Sequence, residues 1–257
     1  MNVFDPFHRP SAVAKAALGT LHGVGLGPGD PELLTVRAVR IIQAAPIVAY
    51  FAKKGRRGIA RTIVDPWLAP DVEEMPLHYP MTTERHFADP HYVRDLAAFY
   101  AQAAEDIAAR LGSGTDIALL CEGDPMFYGS FMHLFARLKD RFEVSMTAGV
   151  SGMSGCWSAA GLPMTWGDDI LTVLPGTLAF EPLVDRLKSS DAAVIMKLGT
   201  NFQKVRAAIE AAGLSSRAVY VERGTMAGER VLPLIEKTDD DAPYFSMILI
   251  PGNGRRP

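Results

Sequence analysis

Cysteine is nearly absent: the chain has only Cys121 and Cys156. Two thiols cannot build a disulfide framework, and their separation is not a metal-ligand spacing, so no bound metal is expected. Scarce cysteine suits a reducing compartment, and a cytoplasmic location is expected. Long apolar runs are missing too. The best candidate, near residues 41–51, is too short to span a bilayer. Residues 1–18 carry Asp5, His8, Arg9 and Lys15 where a signal peptide needs an unbroken apolar stretch. There is no basic surplus: 26 Lys and Arg stand against 29 Asp and Glu, a net charge of -3. A protein that lives on nucleic acid usually carries the opposite balance. Neither a nucleic-acid nor a membrane partner is therefore expected.

Several familiar motifs are missing where they would be looked for. Gly23-Val24-Gly25-Leu26-Gly27-Pro28-Gly29-Asp30 follows a strand pattern and precedes a helix pattern. It still fails the dinucleotide spacing G-x-G-x-x-G, since the sixth residue is Pro28 from Gly23 and Asp30 from Gly25. The next strand ends in Tyr50 and Phe51 with no acidic residue for a ribose. The loop also lacks the Gly-Lys-Ser/Thr of a phosphate loop. G-x-S-x-G is absent around Ser151 and Ser154, which argues against a serine hydrolase. The two cysteines have no histidine beside them and read as buried, inert thiols.

What is present is a globular composition, 48% apolar and 21% charged over 257 residues, enough for one large domain or two ordinary ones. Residues 1–18 read as an arm. Strand patterns at 21–25, 46–51, 72–75, 116–121 and 142–146 alternate with helix patterns at 31–44, 92–111, 127–138 and 151–160. Asp30 is the expected cap of the first helix and Pro31 its first turn. This alternation predicts an α/β domain over 19–160 with a mainly parallel sheet. Residues 161–167, rich in Gly and Pro, read as a linker. Strands at 170–174, 192–196, 218–221 and 244–250, with helices at 180–188 and 202–212, predict a second α/β domain over 168–257 with a mixed sheet.

Glycine-rich or small-residue turns recur at the predicted strand ends: the run from Gly23, then Glu122-Gly123-Asp124-Pro125, then Ala148 to Cys156. Met196-Lys197 and Glu222-Arg223-Gly224-Thr225 follow strands in the second half. In open α/β sheets that edge binds ligands. Taken singly, each turn also reads as ordinary structure. Taken in order, VGLGPGDPELLTVRA, EGDPMFYGS, AGVSGMSGCWSAAGLP, VIMKLG and VERGTMAGERV resemble the loops of the tetrapyrrole (class III) S-adenosylmethionine methyltransferases. The resemblance covers roughly residues 20–251. HGVGLGPGDPELLTVRAVR with CEGDPMFYGSF turns it toward the corrin-pathway members.

The resemblance implies a homodimer of two-domain chains. It implies S-adenosyl-L-methionine in the cleft between the domains, released as S-adenosyl-L-homocysteine, and a small-molecule tetrapyrrole substrate. It assigns cofactor contacts to Pro28, Gly123, Asp124, Phe127, Ser151, Gly152, Met196 and Gly224. Two departures stand out: Glu122 replaces the first glycine of Gly-Gly-Asp-Pro, and Ser151-Gly152 replaces Thr-Ala. A polycarboxylate substrate calls for cationic donors. Arg56 and Arg57 after the second strand are the candidates, with Tyr128 as a pocket wall and Tyr79 as a further possibility. No catalytic base is legible; His22, His78, His86, His91 and His133 qualify by chemistry alone. A nicotinamide-dependent oxidoreductase and a non-catalytic tetrapyrrole-binding protein stand as alternatives.

Overall fold

The structure is a computed structural model describing residues 18–80 and 90–254. The expected N-terminal arm, apart from Leu18, and His86 lie outside the described residues. The first half contains β1 (Leu21–Gly25), α1 (Val36–Ala44), β2 (Ile47–Lys53), α2 (Ile59–Ile63) and β3 (Glu73–Tyr79). It continues through α3 (Pro90–Gly112), β4 (Ile117–Cys121), α4 (Phe131–Leu138), β5 (Val144–Thr147) and α5 (Gly152–Ala159). Its five strands form a wholly parallel sheet ordered β3-β2-β4-β1-β5.

The central strand β4, IALLC, is buried at every position, as a parallel strand covered on both faces must be. Its side chains alternate. Ile117, Leu119 and Cys121 join Tyr100, Ile107 and Leu111 of α3 and Phe131, Leu134 and Leu138 of α4. Ala118 and Leu120 face the other way, toward Ala38 and Ile42 of α1 and Ala60 and Ile63 of α2. Each fully buried Leu or Ile contributes roughly 1.5–3 kcal/mol. The chain leaves β1 for a helix on one face and leaves the adjacent β4 for a helix on the other. That reversal opens a crevice at the carboxyl ends of these two strands.

The second half contains β6 (Leu171–Pro175), α6 (Phe180–Lys188), β7 (Ala192–Met196), α7 (Phe202–Ala211), β8 (Val219–Glu222), β9 (Arg230–Pro233) and β10 (Ser246–Ile250). The sheet order is β6-β7-β10-β8-β9; only β6 and β7 run parallel, so the sheet is mixed. One face packs on α6 and α7 through Ile195, Tyr220 and Ile248. The other, carrying Val194, Val221 and Leu249, packs on Cys156 and Trp157 of α5 and on Met164. Thus α5 follows the last strand of the first sheet and covers the second.

The helix expected over 31–44 is split. Asp30 caps a short 3-10 turn, Pro31–Leu33, by accepting from Glu32 N. Leu34 and Thr35 are extended, and Thr35 Oγ1 then caps α1 by accepting from Ala38 N at 3.1 Å. Thr35 competes for the backbone as threonines do at helix starts and restarts the helix one turn late. The helix expected from 127 begins at Phe131, because Tyr128 adopts a left-handed φ of 53°. The strand expected from 244 begins at Ser246.

Candidate functional site

Three loops at the carboxyl edge of the first sheet meet backbone to backbone. Gly27 and Gly123 form an antiparallel bridge, with Gly123 N donating to Gly27 O at 2.7 Å and Gly27 N to Gly123 O at 3.3 Å. A Cβ on Gly25 would lie 2.5 Å from Gly149 N, and one on Gly149 would run into the carbonyl of Gly123. Only glycine lets chains approach this closely. Asp124 locks the arrangement: Oδ1 accepts from Met126 N at 2.9 Å and Oδ2 from Gly149 N at 3.1 Å. On its open side, Gly123 (φ 68°) would meet nothing nearer than Gly152 N at 3.5 Å. Ser151 caps α5, its hydroxyl accepting from Ser154 N at 3.2 Å.

Loops of the second half close on this cluster. The Pro28 ring lies on Gly155 of α5, with Thr225 beside it, and Gly224 sits against Cys156. Met226 occupies the space beside Gly29. Met196 ends β7, its carbonyl accepting from Gly176 N at 2.6 Å. The Lys197 ammonium stands 4.5 Å over the Tyr128 ring, joining the halves by a cation–π contact. Among the described residues, the non-glycine residues with left-handed φ are Tyr128, Lys197, Arg223 and Thr225, all in these loops. Such strain gathers where surrounding structure imposes it for a purpose. Thr225 Oγ1 is buried without a hydrogen-bond partner, as is Thr147 Oγ1 at the end of β5.

Beside the glycine cluster lies an aromatic wall. Tyr79 and Tyr100 both bond Ser130 Oγ, at 2.5 and 2.9 Å. Phe51 stacks on Tyr79 at 5.3 Å, and Phe99 fills the angle at 5.0 Å. Burial, first of all, pushes both phenols upward from their ordinary pKa. Glu122 directly follows β4. Its Oε1 accepts from Ala60 N at 3.0 Å, tying the Gly-Asp-Pro loop to the start of α2. The residue remains accessible. Crowding by the surrounding loops raises its pKa, against two backbone N–H groups that favour the charge, its own and that of Ala60. Tyr244, on the second half, is 78% exposed, yet its phenol too is pushed up, by crowding first and then by the charge of Glu122.

The residues singled out from sequence separate into groups. Pro28, Gly123, Asp124, Ser151, Gly152 and Gly224 belong to the converging loops; Phe127 lies edge-on to Tyr128 at 4.8 Å, and Met196 adjoins Lys197. Arg56 and Arg57 lie on the loop after β2, at the same sheet edge. Arg57 pairs with Asp65 at 2.5 Å, an acid that Arg61 also holds, while Arg56 makes no ion pair among the described residues. Among the histidines, His22 bonds Ser145 at 2.6 Å and feels Asp116 and Glu143, which lie at the opposite edge of the sheet. His133 stacks on Tyr100 at 4.3 Å. His78 lies on the outer strand β3 and His91 at the start of α3. Both cysteines are buried, and burial pushes the Cys156 thiol up to about 11. Sequence reading gave no role to Tyr100, Ser130, Tyr244, Lys197 or Thr225, though Ser130, Lys197 and Thr225 stand in the runs it singled out. A Tyr-Phe pair directly after the polar stretch 238–243 was the available signal for Tyr244.

Residues 20–237 match the model of the Tetrapyrrole (Corrin/Porphyrin) Methylases. The chain is 53% identical over 240 residues to the Precorrin-2 C(20)-methyltransferase of Sinorhizobium sp, covering 93% of this chain and 98% of that one. It is 48% identical over 241 residues to the cobalamin biosynthesis protein CobIJ of Mycobacterium tuberculosis, covering 94% of this chain but 47% of that longer one. Among solved structures, the fold matches that of cobalt precorrin-4 methyltransferase, CbiF, with a TM-score of 0.68, 23% identity and coverage of 90% and 93%.

Proposed function

The chain belongs to the tetrapyrrole (corrin/porphyrin) methylases, and from that premise we propose that it transfers a methyl group from S-adenosyl-L-methionine to C-20 of precorrin-2, giving precorrin-3A on the route to cobalamin. The observation that carries the reading is the 53% identity, over nearly the whole of both chains, to a protein named for that reaction. The domain division at 161–167, the homodimer and the cytoplasmic location belong to the same proposal. No helix among the described residues is long and apolar enough to cross a membrane.

The converging loops suit the proposed methyl donor. Gly123 leaves open space between the second and third loops, the α5 N-terminus directs amides toward it, and Thr225 Oγ1 waits for a partner. Pro28, Gly123, Asp124, Phe127, Ser151, Gly152, Met196 and Gly224 would hold the donor, which supplies an electrophilic methyl on a sulfonium. Asp124 acts chiefly by fixing the loops, since both of its oxygens already accept backbone N–H groups. The protein's task is then alignment and exclusion of water. Arg56, and Arg57 when it releases Asp65, would meet substrate carboxylates, with Tyr128 closing the side under Lys197.

Anaerobic incubation with precorrin-2 and methyl-labelled donor, followed by mass spectrometry and carbon NMR, tests this. One labelled methyl at C-20 is the expected result. Tight donor binding without transfer to precorrin-2, but with transfer to its cobalt complex, would move the chain to the cobalt-loaded route.

A further inference from the structure

Methylation of an unsaturated ring carbon leaves that carbon with one hydrogen too many, and a base must remove it. The histidines do not offer one readily: His22 lies at the wrong edge of the sheet and His133 is stacked on Tyr100. Two acids stand at the working edge, and Asp124 already accepts a backbone N–H on each oxygen, which leaves Glu122. It directly follows the central strand β4 and precedes Gly123 and Asp124. Its Oε1 is held by Ala60 N, which fixes the carboxyl beside the start of α2. The residue is accessible, and its charge is felt by Tyr244, which belongs to the other half.

Resting on the methyltransferase reading above, we propose that Glu122 is the base that takes the ring-carbon proton after methyl transfer. The methyl–sulfur bond breaks with its electron pair left on sulfur, and the new carbon–carbon bond draws its pair from the macrocycle's π system. C-20 then bears both methyl and hydrogen. Glu122 Oε2 accepts that hydrogen as a proton, the C–H pair returns to the π system, and the proton passes to water. The surroundings suit a base rather than a fixed anion. What acts on the carboxyl is crowding, opposed by the N–H of Ala60 from α2 and its own backbone N–H. The groups sharing its space are Asp124 on the same loop, Cys121 on β4 and Tyr244 opposite, none of them cationic. Crowding raises the carboxyl above its ordinary range, the direction in which a carboxylate becomes a stronger base.

The test compares wild type with Glu122→Gln, which keeps an acceptor for Ala60 N. Melting temperature and calorimetric affinity for S-adenosylmethionine are expected to match wild type, while product formation falls about 100-fold or more. With substrate deuterated at C-20, Glu122→Asp is expected to gain an isotope effect absent from wild type, because proton removal becomes limiting. Carbon-13 NMR of labelled glutamate should reveal one carboxyl titrating above the ordinary range, missing in Glu122→Gln. Turnover of Glu122→Gln within threefold of wild type, or a slow variant with neither isotope effect nor loss of that carboxyl signal, overturns the assignment. Wild type that transfers no methyl to either precorrin-2 form overturns the reading beneath it, and the assignment with it.

Discussion

The two halves build their shares of the site by opposite means. In the first, Gly25, Gly123 and Gly149 place backbone directly on backbone, and one carboxylate, Asp124, ties the loops. In the second, non-glycine residues are forced into left-handed backbone, Lys197 at 58°, Arg223 at 50° and Thr225 at 69°, where the first half has Tyr128 alone among its described residues. A wall made of main chain is rigid and low, so a flat or bulky ligand can lie close to it. A wall made of strained side chains presents chemical groups and holds energy that a ligand can release. The difference teaches that shape comes mainly from one half and contacts mainly from the other.

The comparison breaks most readily at Gly149. Gly149→Ala must push a methyl into the Gly123 carbonyl, which should cost about 1–3 kcal/mol by overpacking. Donor binding should weaken by more than about tenfold; thermal melts and calorimetry read both. Unchanged binding would deny the first half its role as the rigid wall. Asp124→Ala comes next. It leaves Gly149 N and Met126 N without their acceptor, for a loss of about 1 kcal/mol in urea denaturation, at the lower end for unsatisfied groups because the site is only half-buried. Smallest, and opposite in sign, is Thr225→Gly. It removes a strained β-branched residue and an orphaned hydroxyl, so the protein should gain about 1 kcal/mol, some 2–4 °C in Tm, while donor affinity falls. A lower Tm would mean that the second half is packed rather than strained.

Much of the scaffold was legible because period and punctuation agree locally. β1 and β7 occupy the expected residues, and α6 spans 180–188 as its apolar spacing predicts. Short or exposed elements were not: α2 is five residues long, and β9 carries no buried residue, so neither leaves a hydrophobic period to read. Thr35 hid a break because nothing in the apolar pattern marks a cap inside a helix. At the site, glycine runs at strand ends pointed to the right loops. The Tyr79–Ser130–Tyr100 trio was invisible, since its members are 51 and 30 residues apart and only the fold of the sheet joins them. Glu122 was visible as a departure, but its meaning needed Ala60 and Tyr244.

The place of β1 also bears on how the chain is made. β1 lies between β4 and β5, and Leu21 pairs with Ile117 and Val144. β2 and β3 can meet soon after synthesis, but β1 must wait for partners about 100 residues downstream. At about 5–20 residues per second on the ribosome, the delay until Val144 is added is roughly 6–25 s. During that interval LHGVG, with Leu21 and Val24 later wholly buried, has both backbone edges unpaired. The nascent chain is thus most open to chaperones, and to mispairing with another strand, at a segment that ends up paired on both edges.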